Sequence, residues 1–168
     1  MSADLFALWP KDKLLAVLIC LPGTSTEIVT ESDEQRARAE AFKTQKALRP
    51  LELVPVGSVT LTREATESQH HRNTALGITI AAPYRGRGYG SEAISWAVDW
   101  AFDIAGLHRV TLTATGFNIG AQRLYERLGF VKEGVQRESV WFNRRWWDTV
   151  LYGMLESDWS KLRGISQS

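Results

Sequence analysis

Cysteine is nearly absent from this chain: Cys20 stands alone among 168 residues. That excludes an internal disulfide and a cysteine-rich metal site. Histidine is scarce too. Two of the three form the adjacent pair His70-His71, which offers no metal-ligand spacing, so no metal is expected. Neither sign of charge prevails. A formal net charge of +1 lacks the electrostatic footprint of a general nucleic-acid binder. Long apolar runs are missing as well. Leu14 to Leu21, the longest early one, is too short to span a bilayer, so no membrane partner is expected. Lysines precede it and Pro22-Gly23 follow, as in a short signal peptide. No small-x-small cleavage site follows, however, and the run fits a buried strand, so an intracellular, cytoplasmic protein is expected.

What remains is ordinary globular material. The composition, 44% hydrophobic and 23% charged, suits one domain over residues 1–168 with a proper core. Leu14–Leu21 reads as a strand, and Ser32–Leu48 as a surface helix with Ser32 and Gln35 in a capping box, stopped by Pro50. Leu51–Thr62 reads as one or two strands broken near Pro55 and Gly57. The polar stretch Arg63–Asn73 reads as a hairpin turn, in which His70-His71 is a solvated pair, and Thr74–Ala81 as the next strand. Glu92–Ala105 has helical spacing on Ile94, Ala97, Val98, Ala101 and Ala105, and Gly106 ends it. His108–Thr115 alternates as a half-buried strand. Asn118 caps a second helix running to about Leu128, with Gly129 after it. Phe130–Phe142 and Trp146–Glu156 form a hairpin turning at Asn143-Arg144, and the last ten residues look frayed. The order predicts an α+β fold with a mostly antiparallel sheet.

The stretch Ala82–Ala93 organises the chain. A strand, a turn with Gly86, Gly88 and Gly90, and a helix follow one another there. Glycines let backbone N–H groups approach an anion, and a helix start adds unpaired donors. Arg85 and Arg87 add positive charge. The P-loop lysine is missing, and G-x-G-x-G is not the dinucleotide fingerprint G-x-G-x-x-G. Taken alone, the stretch is either a structural glycine turn or an anion cradle.

Arg85-x-x-Gly88-x-Gly90 resembles the pyrophosphate loop, (Q/R)-x-x-G-x-(G/A), of the GNAT N-acetyltransferase superfamily. Asn118-Ile119-Gly120-Ala121-Gln122-Arg123-Leu124-Tyr125-Glu126-Arg127-Leu128-Gly129-Phe130 resembles a second motif, N-x-x-A-x-x-L-Y-x-x-x-G-F. Glu133-Gly134-Val135-Gln136-Arg137-Glu138 and Asn143-Arg144-Arg145-Trp146-Trp147-Asp148 are similar to a pattern in the branch containing ribosomal-protein N-terminal acetyltransferases, with Arg144 where a turn glycine is common. The likeness covers residues 75–159. Residues 1–60 depart from the usual strand and two helices. Leu14–Leu21 is then either the first strand of a shortened front end or the second strand of one lacking its start.

The resemblance implies a GNAT fold, with a mixed, mostly antiparallel central sheet splayed at an acetyl-CoA cleft and flanked by helices. It implies acetyl-CoA as cosubstrate without a metal, and direct acetyl transfer to a small amine or a peptide N-terminus in a ternary complex. The alternative is a catalytically weak or inactive CoA-binding or protein-interaction module on the same fold. Ile78 and Ile80 are expected to pair with the pantetheine, and the N–H groups from Arg85 through Gly86, Arg87, Gly88, Tyr89 and Gly90 to hold the pyrophosphate. The oxyanion donor is expected to be the backbone N–H of Ile80 or a neighbour. Tyr125 is the expected acid for the departing thiolate, or else a half-buried core tyrosine. Asn118 is a cap, a pantetheine contact or both. Glu64 and Glu67 are the candidate bases, or else solvated turn residues. Trp141, Phe142, Trp146 and Trp147 form either an acceptor wall or a packing or dimer surface; a homodimer is a possible partner state.

Overall fold

The computed structural model describes residues 13–22, 53–63 and 65–165. The chain divides into two compact units, residues 1–19 with 57–168 and residues 20–56. The core and the cleft both lie in the first. The expected helix 32–48 falls outside the described residues, as does Glu64.

Among the described residues, six strands make one mixed sheet: β1 (Lys13–Pro22), β2 (Leu53–Thr62), β3 (Asn73–Ile80), β4 (Arg109–Thr115), β5 (Val131–Phe142) and β6 (Arg145–Leu155), in the spatial order β1-β2-β3-β4-β6-β5. β3 and β4 run parallel; β2–β3, β4–β6 and β5–β6 are antiparallel. Lys13–Pro22 takes an edge position beside β2. Among the described residues, three α-helices accompany the sheet: α1 (Tyr89–Asp99), α2 (Ile119–Arg127) and α3 (Glu156–Arg163). No helix among the described residues is long and apolar enough to cross a membrane.

The strand alternation expected for His108–Thr115 is present. Val110, Leu112 and Ala114 are buried and face the same core as Val150, Tyr152 and Met154 of β6. From α1, Ala93, Ile94, Ala97 and Val98 close over them. Each large apolar side chain fully withdrawn from water here contributes about 1.5–3 kcal/mol.

Four local expectations are corrected. The break near Pro55 and Gly57 does not occur: Leu53–Thr62 is one strand. Pro55 precedes the ladder to β3, which runs from Gly57 to Leu61, so its missing N–H costs that ladder nothing. The polar turn 63–73 contains a 3₁₀-helix, Thr66–His71, closed by Arg72 at φ 53°. The helix expected from Glu92 begins at Tyr89 and gives way to a π turn at Trp100–Ile104, whose Ala101 and Phe102 are buried. The tail is not frayed through its last ten residues: Glu156–Arg163 is helical. Trp159 is buried beside Phe102, with ring centroids 5.5 Å apart, and its Nε1–H donates to Asp99 Oδ1 at 2.7 Å. Arg163 donates to both oxygens of the same carboxylate.

The final hairpin turns where expected. Asn143 and Arg144 both adopt left-handed backbone, at φ 51° and 59°, as a two-residue type I′ turn requires. Arg144 therefore accepts a conformation that glycine would adopt with less strain.

Candidate functional site

β3 and β4 pair over three residues only, Asn73 to Ala75 against Arg109 to Thr111. Side chains clasp that end. Thr74 Oγ1 donates to the Thr62 carbonyl at 2.8 Å, and Thr111 Oγ1 donates to the Thr74 carbonyl at 3.2 Å. The Arg72 carbonyl accepts from the N–H groups of His108 and Arg109. Beyond Ala75 the strands part. β3 continues against β2, and β4 stays with β6 through Thr115. The expected splay is present, and its open side leads to a cleft of about 720 Å³.

One wall is the outer half of β3, with Ile78, Thr79 and Ile80. β3 runs into a 3₁₀ turn, Ala82–Tyr84, and then the glycine loop. Gly86 and Gly88 have φ 72° and 92°, values that strain any other residue, and a Cβ on either would meet nothing within 4 Å. The backbone is therefore bare to the cleft. The N–H groups of Gly86, Arg87 and Gly88 make no turn or cap bond to backbone among the described residues. Those of Tyr89, Gly90 and Ser91 open α1 ahead of its first bond, from Glu92 N–H to the Gly88 carbonyl at 3.1 Å. A run of consecutive donors at the positive end of a helix dipole is an anion cradle.

The facing wall is α2. Asn118 caps it, its Oδ1 accepting from Ala121 N–H at 3.2 Å. The side-chain amide of Gln122 fixes the preceding turn by donating to the carbonyls of Thr115 and Gly116. Asn118, Ala121, Leu124, Tyr125 and Arg127 then line the cleft. Among the described residues the lining contains two arginines and no carboxylate, which suits an anionic occupant.

Tyr125 is almost wholly buried, at 6% exposure. Its ring meets Tyr152 edge-on at 5.7 Å. Desolvation raises its phenol above the ordinary value near 10, so it stays protonated at neutral pH. Its hydroxyl has no hydrogen-bond partner among the described residues, yet it is not sealed from solvent, since no buried polar atom there lacks a partner. Tyr152 is pushed up by burial first, then by its hydrogen bond to Glu126, in which the phenol donates to Oε1 at 3.1 Å.

The structure brings together Ile78, Ile80, Arg85, Gly86, Gly88, Tyr89, Gly90, Asn118 and Tyr125 on one cleft. Arg85 is partly committed, because its Nε donates to the Ile80 carbonyl at 2.9 Å and ties the loop to the strand end. Arg87 lies outside the lining, its guanidinium 5.8 Å from the centre of the Tyr84 ring. Glu67 is exposed on the 3₁₀-helix and does not line the cleft. Sequence reasoning missed Ser91, Ala121, Leu124 and Arg127. Helical spacing from Asn118 and Tyr125 carries the signal for the last three.

Beside Asn118 lies an aromatic group. Phe117 stacks on Phe142 at 5.1 Å and meets Trp147 edge-on at 5.0 Å. Arg145 covers the Trp147 face at 3.4 Å, and Trp141 contacts Trp146 at 5.2 Å. Among the described residues, no group of three or more histidine, cysteine, aspartate or glutamate side chains could hold a metal ion.

A family model described as the acetyltransferase (GNAT) family matches residues 22–130, and the chain belongs to that family. It is similar to a spermidine N(1)-acetyltransferase of Vibrio cholerae, 36% identical over 87 residues, which are 52% of this chain and 50% of that protein. It is similar also to the ribosomal protein uS5-alanine N-acetyltransferase of Escherichia coli, 29% identical over 85 residues, 51% of this chain and 44% of that one. The chain thus spans about half the length of the curated relatives it matches. Among solved structures, a dodecameric spermidine N-acetyltransferase from Vibrio cholerae superposes with a TM-score of 0.60 at 26% identity, over 74% of this chain and 75% of that one.

Proposed function

We propose that this chain transfers the acetyl group of acetyl-CoA to a primary amine, by direct attack in a ternary complex. The observation that carries the reading is the cleft itself. A strand edge without a partner leads to a bare run of backbone N–H donors, with a protonated phenol on the opposite wall. These residues fit the cosubstrate. The free edge of β3 at Ile78–Ile80 suits the amides of pantetheine, the loop suits a pyrophosphate, and Leu124 offers an apolar flank between them. Acetyl-CoA supplies an activated thioester.

The protein's part is positioning and hydrogen bonding. Tyr125 Oη donates to the sulfur as negative charge develops there. Burial raises its pKa, so the phenol is a weak acid that keeps its own proton. Tyr125 therefore acts first as a hydrogen-bond donor in the transition state. Asn118 has its oxygen engaged in the cap and keeps its amide N–H₂ to donate.

Among the described residues no carboxylate lines the cleft, and on that lining the acceptor arrives neutral or loses its proton to water. That favours an amine of modest basicity. An α-amine at the N-terminus of a peptide, with pKa about 8, is ionised less than a lysine-like amine near 10.4. The exposed aromatic residues at the final hairpin, Trp141 and Trp146, support a homo-oligomer.

Calorimetric titration with acetyl-CoA, with ATP as control, is the first test. Micromolar binding to acetyl-CoA alone is expected, followed by turnover on a panel of peptide N-termini and small amines. With an α-amine, kcat/KM should rise with pH and level off near pH 8, the amine's own pKa. Binding without turnover on any amine would sink the enzymatic reading; no binding would sink the cleft reading.

A further inference from the structure

A second cavity of about 190 Å³ adjoins the cleft. Apolar side chains of α1 and α3, with Phe130 and Met154, form most of its lining. Arg127, the last residue of α2, lines both cavities. It is exposed, and no carboxylate or other partner engages it among the described residues. The other cations nearby are committed. Arg163 donates to both oxygens of Asp99, and Arg85 spends its Nε on the Ile80 carbonyl. Ser91 of α1 lines the larger cavity, and Ser95, one turn on, lines the smaller. Residues four apart share a helix face, so both hydroxyls lie on the side toward Arg127. Neither makes a side-chain hydrogen bond among the described residues.

A free guanidinium that shares one cavity with each of two free hydroxyls suits a phosphate monoester, which carries close to two negative charges at neutral pH and offers three acceptor oxygens. The site borders the N–H cradle at Ser91 and extends along α1 to Ser95. Leu124 abuts the start of α1, its Cδ2 3.8 Å from where a Cβ on Gly90 would stand. Arg127 is a turn further along α2 and lines both the cleft and the smaller cavity that takes in Ser95. We propose that Arg127, with Ser91 and Ser95, binds the ribose 3′-phosphate of CoA, while the loop holds the pyrophosphate. This assignment rests on the acetyl-CoA reading of the cleft and adds a residue that selects CoA over its dephosphorylated form.

The test is calorimetric titration of wild type, R127A, R127K and S95A with CoA and with 3′-dephospho-CoA. Wild type should bind CoA about tenfold more tightly than dephospho-CoA, as one charge-assisted contact of about 1.4 kcal/mol requires. R127A should lose that margin and bind dephospho-CoA as wild type does. R127K should recover only part, because an ammonium lacks the planar fork. S95A should reduce the margin about twofold, the effect of one weaker hydrogen bond. An R127A variant that weakens both ligands equally, or a wild type that does not discriminate, overturns the assignment and leaves the cleft reading standing. A wild type that binds neither ligand overturns both.

Discussion

The two ends of the β3–β4 pair are built from the same two strands and do opposite things. At the near end every available group is used. Thr74 is buried and bonds across to β2, Thr111 bonds back to the Thr74 carbonyl, and the Arg72 carbonyl takes two N–H groups from the start of β4. Outside this knot, Arg72 and His108 both approach Glu156, at 3.5 and 3.9 Å. At the far end the polar backbone is left unbonded. β3 has no partner on its β4 side, and the glycine loop turns a run of N–H groups outward. Unpaired backbone is costly where it is buried, so it persists here because the cleft is open to water and to a ligand that can take its place. The clasp permits the splay. A parallel pair held by three residues would drift without the side-chain bonds at its root.

The largest expected effect breaks the open end alone. Tyr125→Phe removes one hydroxyl and leaves the ring against Tyr152 and Phe130. If that hydroxyl serves the leaving sulfur, kcat should fall about a hundredfold or more, within the range for a positioned proton donor. Affinity for acetyl-CoA should change by less than about twofold, since one hydrogen bond to a thioester sulfur adds little in the ground state. Steady-state kinetics beside a binding titration separates the two. A parallel loss of binding and turnover would make Tyr125 a packing residue.

A middle-sized effect breaks the clasped end. Thr74→Val preserves shape and burial but removes the donor to the Thr62 carbonyl. Losing that part-buried hydrogen bond costs about 0.5–1.5 kcal/mol. Thermal or urea unfolding should show that loss. Binding of acetyl-CoA should fall only modestly, because the substituted side chain lies at the root of the splay and not in the cleft. A stability unchanged within error would mean that the three-residue ladder alone holds the root.

The two ends also differ in how legible they were. The glycine loop and the Asn118–Phe130 helix were readable because their chemistry is local. Glycine at a left-handed φ, an asparagine cap and a phenol on a helix face all lie in consecutive residues. The resemblance then supplied their shared cleft. The clasp was not readable, because Thr62, Thr74 and Thr111 look like ordinary strand threonines until the sheet is assembled. α3 was missed for the same kind of reason. Its composition is polar, and its place depends on Trp159 and Arg163 meeting Asp99, sixty residues earlier in the chain. Pro55 and Gly57 misled in the other direction: pairing with β3 carried the strand through signals that locally spell a break. Arg127 was part of a recognised motif but was given no role, since two cavities meeting at one side chain is a tertiary fact.

The smallest effect concerns the wall shared by both ends, where Tyr125 of α2 meets Tyr152 of β6. Burial raises both phenols in the folded state, and the hydrogen bond to Glu126 raises Tyr152 further. In the unfolded chain each would titrate near 10. Above that pH the unfolded state holds fewer protons than the folded one, so stability declines as pH rises. The contribution is fully present below about pH 10 and is lost as the pH climbs through the raised folded values. Urea unfolding between pH 8 and 11 should therefore be flat up to about pH 9.5 and then fall. Tyr152→Phe removes one of the two phenols, and its curve should decline less steeply at the alkaline end even if the variant starts from a lower plateau. Tyr125→Phe should flatten the same limb. If neither substitution changes the alkaline limb, the two phenols do not carry it and another group titrates there.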